Sequence, residues 1–400
     1  MEIKKIFILE NKRWVLGSIF LAIVFLSPII ALFVNFFSSD KNTLIYLLET
    51  VLLDYSFNTI YLIFIVSIFS LFLGIIPAWY ISNYKFFGRN FFDIALYLPL
   101  AIPSYIMGFT YIDILSYTGP IQSFFRSNAS FLADYFNNDY LQIEVLGIIL
   151  GFALYPYLYA ASRISFSMIG SNYFNISKNL GLSKLQTFYK VILPLSRPAI
   201  FSGLFLVIME VLNEYGAVKY FGVNTYTTGI FRSWFSLGDV GGAIQLACIL
   251  LFVVMVLFIL EKQSLKKSKF YYGKNVKIQQ MISLKTISSA PIILVCSIPF
   301  LFGFLIPCVF IVFNVIQTYN EINFHKLFIL VNNSVFVSSL SSIIIILIAL
   351  FFLFVERISK NKINSQISNL ISLGYAIPGA VIGLGLIILF SPFSLIGSFF

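Results

Sequence analysis

The chain has 400 residues, of which 59% are hydrophobic and 10% are charged, and its mean hydropathy is +0.94. Soluble globular proteins are about half apolar and about a quarter charged, so this composition excludes a soluble enzyme, a disordered chain and a secreted disulfide scaffold. The three cysteines form no CxxC pair and His325 is the single histidine, so neither a zinc site nor a structural disulfide is expected. The composition predicts an all-α polytopic membrane protein.

Nine stretches are long and apolar enough to cross a membrane as helices, which takes about 20 residues. In chain order they are 16–37, 58–81, 92–116, 143–168, 198–219, 239–260, 290–316, 333–355 and 369–391. With the N-terminus in the cytoplasm, 21 of the 26 Lys and Arg residues fall on the cytoplasmic side, as the positive-inside rule requires. Membrane orientation therefore explains the net charge of +10, and no nucleic-acid partner is expected.

The sequence resembles itself at a spacing of 275 residues. Asn58 and Asn333 lie in similar segments, and Pro103 in AIPSYIMG matches Pro378 in AIPGAVIG. We interpret this as a duplication into parallel repeats related by an axis along the membrane normal, with chance resemblance between apolar helices as the alternative. The predicted parts are a six-helix first half (1–261), a basic cytoplasmic linker (262–289) and a three-helix second half (290–400). The second half is expected to be incomplete, so either the chain is a fragment or a second polypeptide supplies the rest.

The cytoplasmic loop between the fourth and fifth predicted spans carries the most specific pattern. Apolar residues recur at helical spacing, and Gly181 interrupts them, which predicts two short helices with a turn between them. Pro194 is expected to break the helix before the fifth span begins. An amphipathic helix pair at a membrane face can lie in a groove of a soluble partner.

This loop resembles the EAA loop of ABC-importer permeases, in which a glycine is followed at fixed spacing by V-x-L-P. The triplet Asn-Ile-Ser stands here where that family has Glu-Ala-Ala. The resemblance implies that two separate ATPase subunits, which carry ATP and Mg²⁺, dock on the loop and drive transport. The residues expected to form the docking loop are Asn175, Ser177, Lys178, Gly181, Leu182, Leu185, Phe188, Val191, Leu193 and Pro194.

The segment 209–239, which reads MEVLNEYGAVKYFGVNTYTTGIFRSWFSLGD, resembles ferric-iron ABC permeases and the related thiamine and phosphonate permeases. The resemblance covers nearly the whole chain. It implies a non-catalytic inner-membrane permease that receives Fe(III) from a periplasmic binding protein and works by alternating access. The chain has no G-x4-G-K-[ST] phosphate-binding loop, so ATP hydrolysis is expected on partner chains and no cofactor on this one. The alternatives are thiamine or phosphonate as substrate, an ion-coupled secondary transporter, and a lipid-modifying membrane enzyme.

Acidic residues inside predicted spans are candidates for a substrate pathway, because charges in a membrane are costly. Glu210 and Glu214 lie four residues apart in the fifth span, and with Tyr215 and Asp113 they offer the oxygen atoms that Fe(III) prefers. No metal site is firmly assigned to them. For Glu214 the alternative is a hydrogen bond to the loop that follows. The aromatic segment 220–234 has two equally weighted interpretations, a gate or docking surface for the binding protein and an aromatic interface belt.

Overall fold

The chain folds almost entirely into helices in a computed structural model. The structure describes residues 2–38, 41–128, 131, 137–169, 173, 176–177, 179–267, 281–284, 286–359, 362–371, 374 and 377–391. The helices up to residue 213 are α1 (Glu2–Ser38), α2 (Lys41–Thr50), α3 (Leu52–Asn83), α4 (Arg89–Ala95), α5 (Ser104–Leu115), α6 (Pro120–Asn128), α7 (Ile143–Met168), α8 (Lys184–Thr187) and α9 (Leu193–Asn213). The later helices are α10 (Gly216–Tyr220), α11 (Tyr226–Phe231), α12 (Val240–Lys267), α13 (Thr286–Phe300), α14 (Ile306–Thr318), α15 (Phe324–Ser359), α16 (Lys362–Ile371) and α17 (Gly379–Phe390).

Seven helical runs in the described part of the chain are long and apolar enough to cross a membrane, and a bent pair gives an eighth. This confirms a polytopic helical membrane protein but corrects the nine predicted spans at two places. The third is broken by a 91° bend next to Pro103, because the ring restricts the preceding Ile102 to an extended conformation. The ninth holds the 12-residue helix α17, which is shorter than the roughly 20 residues a span needs.

The first compact unit, Asp40–Phe313, is organised around helices α3 and α7. Glycines let these two helices approach closely: a Cβ atom added to Gly74 would lie 2.9 Å from the backbone nitrogen of Tyr159. One added to Gly151 would lie 2.7 Å from Cβ of Phe69. Helix α9 packs along α7, and α13 packs against α3 and α4 in the same unit. The unit thus has a tightly packed helical centre that fixes the surrounding loops.

The second compact unit consists of Met1–Ser39 with Asn314–Phe400. In it, α1 packs against α15, α16 and α17. The closest approach is to α17, where a Cβ atom added to Gly385 would lie 2.5 Å from the carbonyl oxygen of Pro28. The first helix of the chain therefore packs along one face against helices from the far end of the chain.

Helix boundaries recur at the spacing found in the sequence. Helices α5 and α17 both have 12 residues and begin 275 positions apart, each after a proline with nearly the same backbone angles. This supports the duplication, which remains a proposal. A shift of α1 by the same 275 residues places it over α13 and the start of α14. Each compact unit would then combine the first helix of one repeat with later helices of the other.

Two short strands, β1 (Tyr84–Lys85) and β2 (Ile282–Ser283), form a parallel pair of two residues each. The backbone N–H of Leu284 extends the pairing by donating to the carbonyl of Lys85 at 3.1 Å. The end of the predicted linker is thereby attached to the connection between α3 and α4. Residues 268–280 of the linker lie outside the described residues.

Candidate functional site

The predicted docking loop lies between the end of α7 and the start of α9. Gly181 adopts φ of +76°, a conformation that L side chains rarely adopt, so the turn requires glycine although an added Cβ would meet no atom within 4 Å. Ser177 is buried, and its Oγ donates to the carbonyl of Tyr173 at 2.7 Å. Asn175 and Lys178 lie outside the described residues.

The apolar residues of this loop lie on two different faces, whereas their helical spacing predicted a single apolar face. Leu180 and Leu185 are 73% and 68% exposed. Phe188 and Val191 instead pack inward against a buried cluster, and Leu182 is partly buried. The loop therefore presents two unpartnered leucines beside the Gly181 turn while its far end is anchored.

The predicted helix break at Pro194 is wrong. A π-helical turn, Phe188–Ile192, runs directly into α9, and Leu193 and Pro194 form the first positions of that helix. Pro194 supplies no N–H to this run, and the π-helical turn before it, in which hydrogen bonds join residues five apart, accommodates that loss without ending the helix. The loop is thus continuous with a membrane helix.

Three aromatic rings attach the loop to two other membrane helices. The Phe188 ring lies 4.7 Å from that of Trp79 in α3 and 6.2 Å from that of Phe166 in α7, measured between centroids. Trp79 and Phe166 pack edge to face at 5.6 Å. Aromatic pairs at such distances add to the stability gained by burial. A displacement of the loop would therefore act on α3, α7 and α9 together.

An ion-pair network lies in the same unit, between α4 and α7. The guanidinium of Arg163 donates through Nε and Nη2 to the two carboxylate oxygens of Asp93, and the Nη2 bond measures 2.5 Å. The Tyr159 hydroxyl donates to the same carboxylate at 3.1 Å, and Arg89 stands 4.0 Å away. No sequence pattern predicts this pair, because its members lie 70 residues apart.

We expect Arg163→Met to lower the free energy of unfolding by about 2–4 kcal/mol, because the half-buried Asp93 carboxylate would lose its bidentate partner. The midpoint of thermal unfolding in detergent measures this loss. The double variant Asp93→Leu/Arg163→Met removes both charges and should be more stable than the single variant. A double variant as unstable as Arg163→Met would contradict the pairing.

The predicted pathway residues have separate surroundings. Glu210 is half-buried in α9, and the Tyr157 hydroxyl donates to its carboxylate at 3.2 Å. Asp113 is half-buried in α5. Burial raises the pKa of Tyr220 above its ordinary value, and the Asp113 carboxylate raises it further. The Tyr220 phenol is therefore protonated at neutral pH.

Glu214 lies just past the end of α9 rather than inside a span, because the helix stops at Asn213. Its side chain is buried and accepts hydrogen bonds from the Ser104 hydroxyl and, at 2.9 Å, from the backbone N–H of Ala217. The Thr227 hydroxyl donates to its backbone carbonyl at 2.8 Å. Glu214 thus ties α5, α10 and α11 together.

The aromatic segment after Glu214 folds into two short helices and a π-helical turn, Arg232–Ser236. The Tyr215 ring lies 4.0 Å from that of Phe231, and Lys219 Nζ lies 5.3 Å from the Tyr215 ring centroid. A reciprocal capping box at Thr225 fixes the start of α11. This segment and the docking loop lie at opposite ends of α9, whose 21 residues span about 30 Å.

The described residues form a polytopic helical bundle with a glycine-turned loop at one end of a membrane helix and an ordered aromatic segment at the other. Residues 70–267, about half of the chain, match the family of binding-protein-dependent transport system inner membrane components, and the chain belongs to this family. It is therefore a multi-pass membrane protein of the ABC-permease class.

Several characterised permeases are similar to this chain. The Fe(3+)-transport system permease protein FbpB 2 of Haemophilus influenzae is 27% identical over 82% of this chain and 62% of its own length. The sulfate transport system permease protein CysT of Salmonella typhimurium is 29% identical over 40% of this chain and 56% of its own. The molybdenum transport system permease protein ModB of Haemophilus influenzae is 27% identical over 39% of this chain and 66% of its own length. The chain thus spans about three-fifths of the length of these relatives.

Proposed function

We propose that this chain is the permease subunit of an ABC importer of the inner membrane, with its N-terminus in the cytoplasm. Two ATPase subunits bind the docking loop and supply ATP and Mg²⁺, and a periplasmic binding protein delivers the substrate at the opposite end of α9. The chain itself is not an enzyme. The observation that carries this proposal is the pair of exposed leucines, Leu180 and Leu185, beside the left-handed Gly181 turn.

The contacts support a mechanical route for alternating access. The Phe188 ring couples the docking loop to α3 and α7, and the loop runs without interruption into α9. At the other end of α9, Glu214 is hydrogen-bonded to α5 and α10. Movement of the loop by a closing ATPase dimer would therefore reach the opposite membrane face through one rigid helix.

Fe(III) is the substrate we propose first, because the ferric relative matches the greatest share of this chain among those described above. Glu210, Glu214, Tyr215 and Asp113 would supply oxygen groups along its path. A sulfate-type oxyanion is the second candidate, since sulfate and molybdenum permeases also match. Thiamine and phosphonate are further alternatives. A second chain completing the second half, and anionic lipids at the basic linker, are additional proposed partners.

Reconstituted uptake tests this function. Proteoliposomes carrying the chain, its candidate ATPase and its candidate binding protein should accumulate radiolabelled Fe(III) only when ATP is present on the side of the membrane where the ATPase is bound. Sulfate and molybdate measured in parallel separate the two substrate classes. Uptake driven by an ion gradient without ATP would overturn the ABC assignment in favour of a secondary transporter, and ATP-dependent sulfate uptake would reassign only the substrate.

A further inference from the structure

The aromatic segment lines an open cavity of about 390 Å³ between α10, α11 and the π-helical turn that follows. Two cations, Lys219 and Arg232, line it, and Tyr215 contributes an aromatic wall. Asn224 and Ser236 add neutral polar groups. The volume falls within the range of about 300–1,000 Å³ that is usual for sites of small molecules.

No Asp or Glu is among the described residues that line the cavity. Glu214, the adjacent acid in sequence, directs its carboxylate to Ser104 and to the N–H of Ala217 instead. In the part of the chain that the structure describes, neither Lys219 nor Arg232 takes part in an ion pair.

We propose that this cavity is a binding site for a small anion with charged oxygen atoms, such as an inorganic oxyanion or a polycarboxylate. The Arg232 guanidinium can donate two parallel hydrogen bonds to such a group, and Lys219 adds a second positive charge. Hydroxyl and amide groups at Ser236 and Asn224 can complete the shell of donors. Both cations are exposed, so the anion can enter without the helices separating.

The site belongs to the permease chain itself and does not depend on the transported substrate or on ATPase docking. Its test is therefore equilibrium binding to the purified chain in nanodiscs of neutral lipid, with no partner present. Sulfate serves as the probe for inorganic oxyanions and citrate as the probe for carboxylates. Whichever anion binds identifies the source of the charged oxygen atoms.

We expect Lys219→Met and Arg232→Met each to weaken binding about tenfold or more, since hydrogen bonds to charged groups are stronger than neutral ones. Arg232→Lys keeps the charge but removes the paired donors, so it should bind with intermediate strength. Lys326→Met is the matched control, because Lys326 is exposed and does not line the cavity. Thermal unfolding checks that the variants remain folded.

Two results would overturn this site. One is that neither sulfate nor citrate binds the unmodified chain. The other is that Lys326→Met weakens binding as much as the two cavity variants, which would show general attraction to a basic protein. A loss confined to Lys219 and Arg232 supports the site even if uptake assays exclude an oxyanion as the transported substrate.

Discussion

Leu185→Asp is expected to abolish capture of the ATPase by the purified chain. Leu185 is 68% exposed on the docking loop, so an aspartate there costs little folding stability. Within an apolar interface, however, the new charge would be desolvated without a partner. Loss of a residue at the centre of an interface typically costs about 2 kcal/mol or more, which is about thirtyfold in affinity. Pull-down followed by quantitative binding in nanodiscs measures the change.

Leu237→Asp is the matched control for this experiment. Leu237 is 69% exposed, nearly the same as Leu185, but it follows the π-helical turn beyond the other end of α9. The control should bind the ATPase like the unmodified chain. Equal loss with both variants, or undiminished binding by Leu185→Asp, would contradict docking on this loop.

Glu214→Ala should lower the free energy of unfolding and abolish uptake together. Glu214 is 9% exposed, and its carboxylate accepts bonds from Ser104 and from the buried N–H of Ala217. Removing it leaves that N–H without an acceptor, which costs about 1–3 kcal/mol. The same loss releases the starts of α5 and α10 from each other. Thermal unfolding and reconstituted uptake, measured on the same preparations, provide the two readouts.

Glu210→Ala is the comparison variant for the unfolding measurement, because Glu210 is half-buried and lies one helical turn earlier in α9. A double-mutant cycle of Glu214→Ala with Ser104→Ala should show a coupling energy of about 0.5–3 kcal/mol, as for residues in direct contact. Uptake lost in Glu214→Ala with unchanged unfolding would mean that Glu214 acts only as a pathway group and does not link α5 to α10.

Spans were predictable from the sequence where hydropathy alone determines the structure. The predicted 143–168 span coincides with α7, because apolar length is sufficient to define a membrane helix. The break at Pro103 is visible in the sequence as a proline, but the apolar run continues through it and hides the 91° bend. Local composition therefore identifies membrane segments better than it identifies their interruptions.

In the candidate sites, the sequence predicted only features that depend on neighbouring residues in the chain. The left-handed turn follows from Gly181 itself, whereas the inward orientation of Phe188 depends on Trp79 and Phe166, which come from other helices. The cavity likewise needs Lys219 and Arg232 to be brought together by α10 and α11. Such contacts arise from tertiary packing, and no spacing in the sequence encodes them.

The packing of α1 has a consequence for the order in which the protein is made. Its neighbour α17 begins at Gly379, so roughly 340 residues separate the end of α1 at Ser38 from its partner. At about 5–20 residues per second, a ribosome needs about 17–70 s to cover that distance. Until α17 is made, α1 stays in the bilayer without this neighbour, and lipid or an insertion factor must cover the surface that Gly385 later occupies.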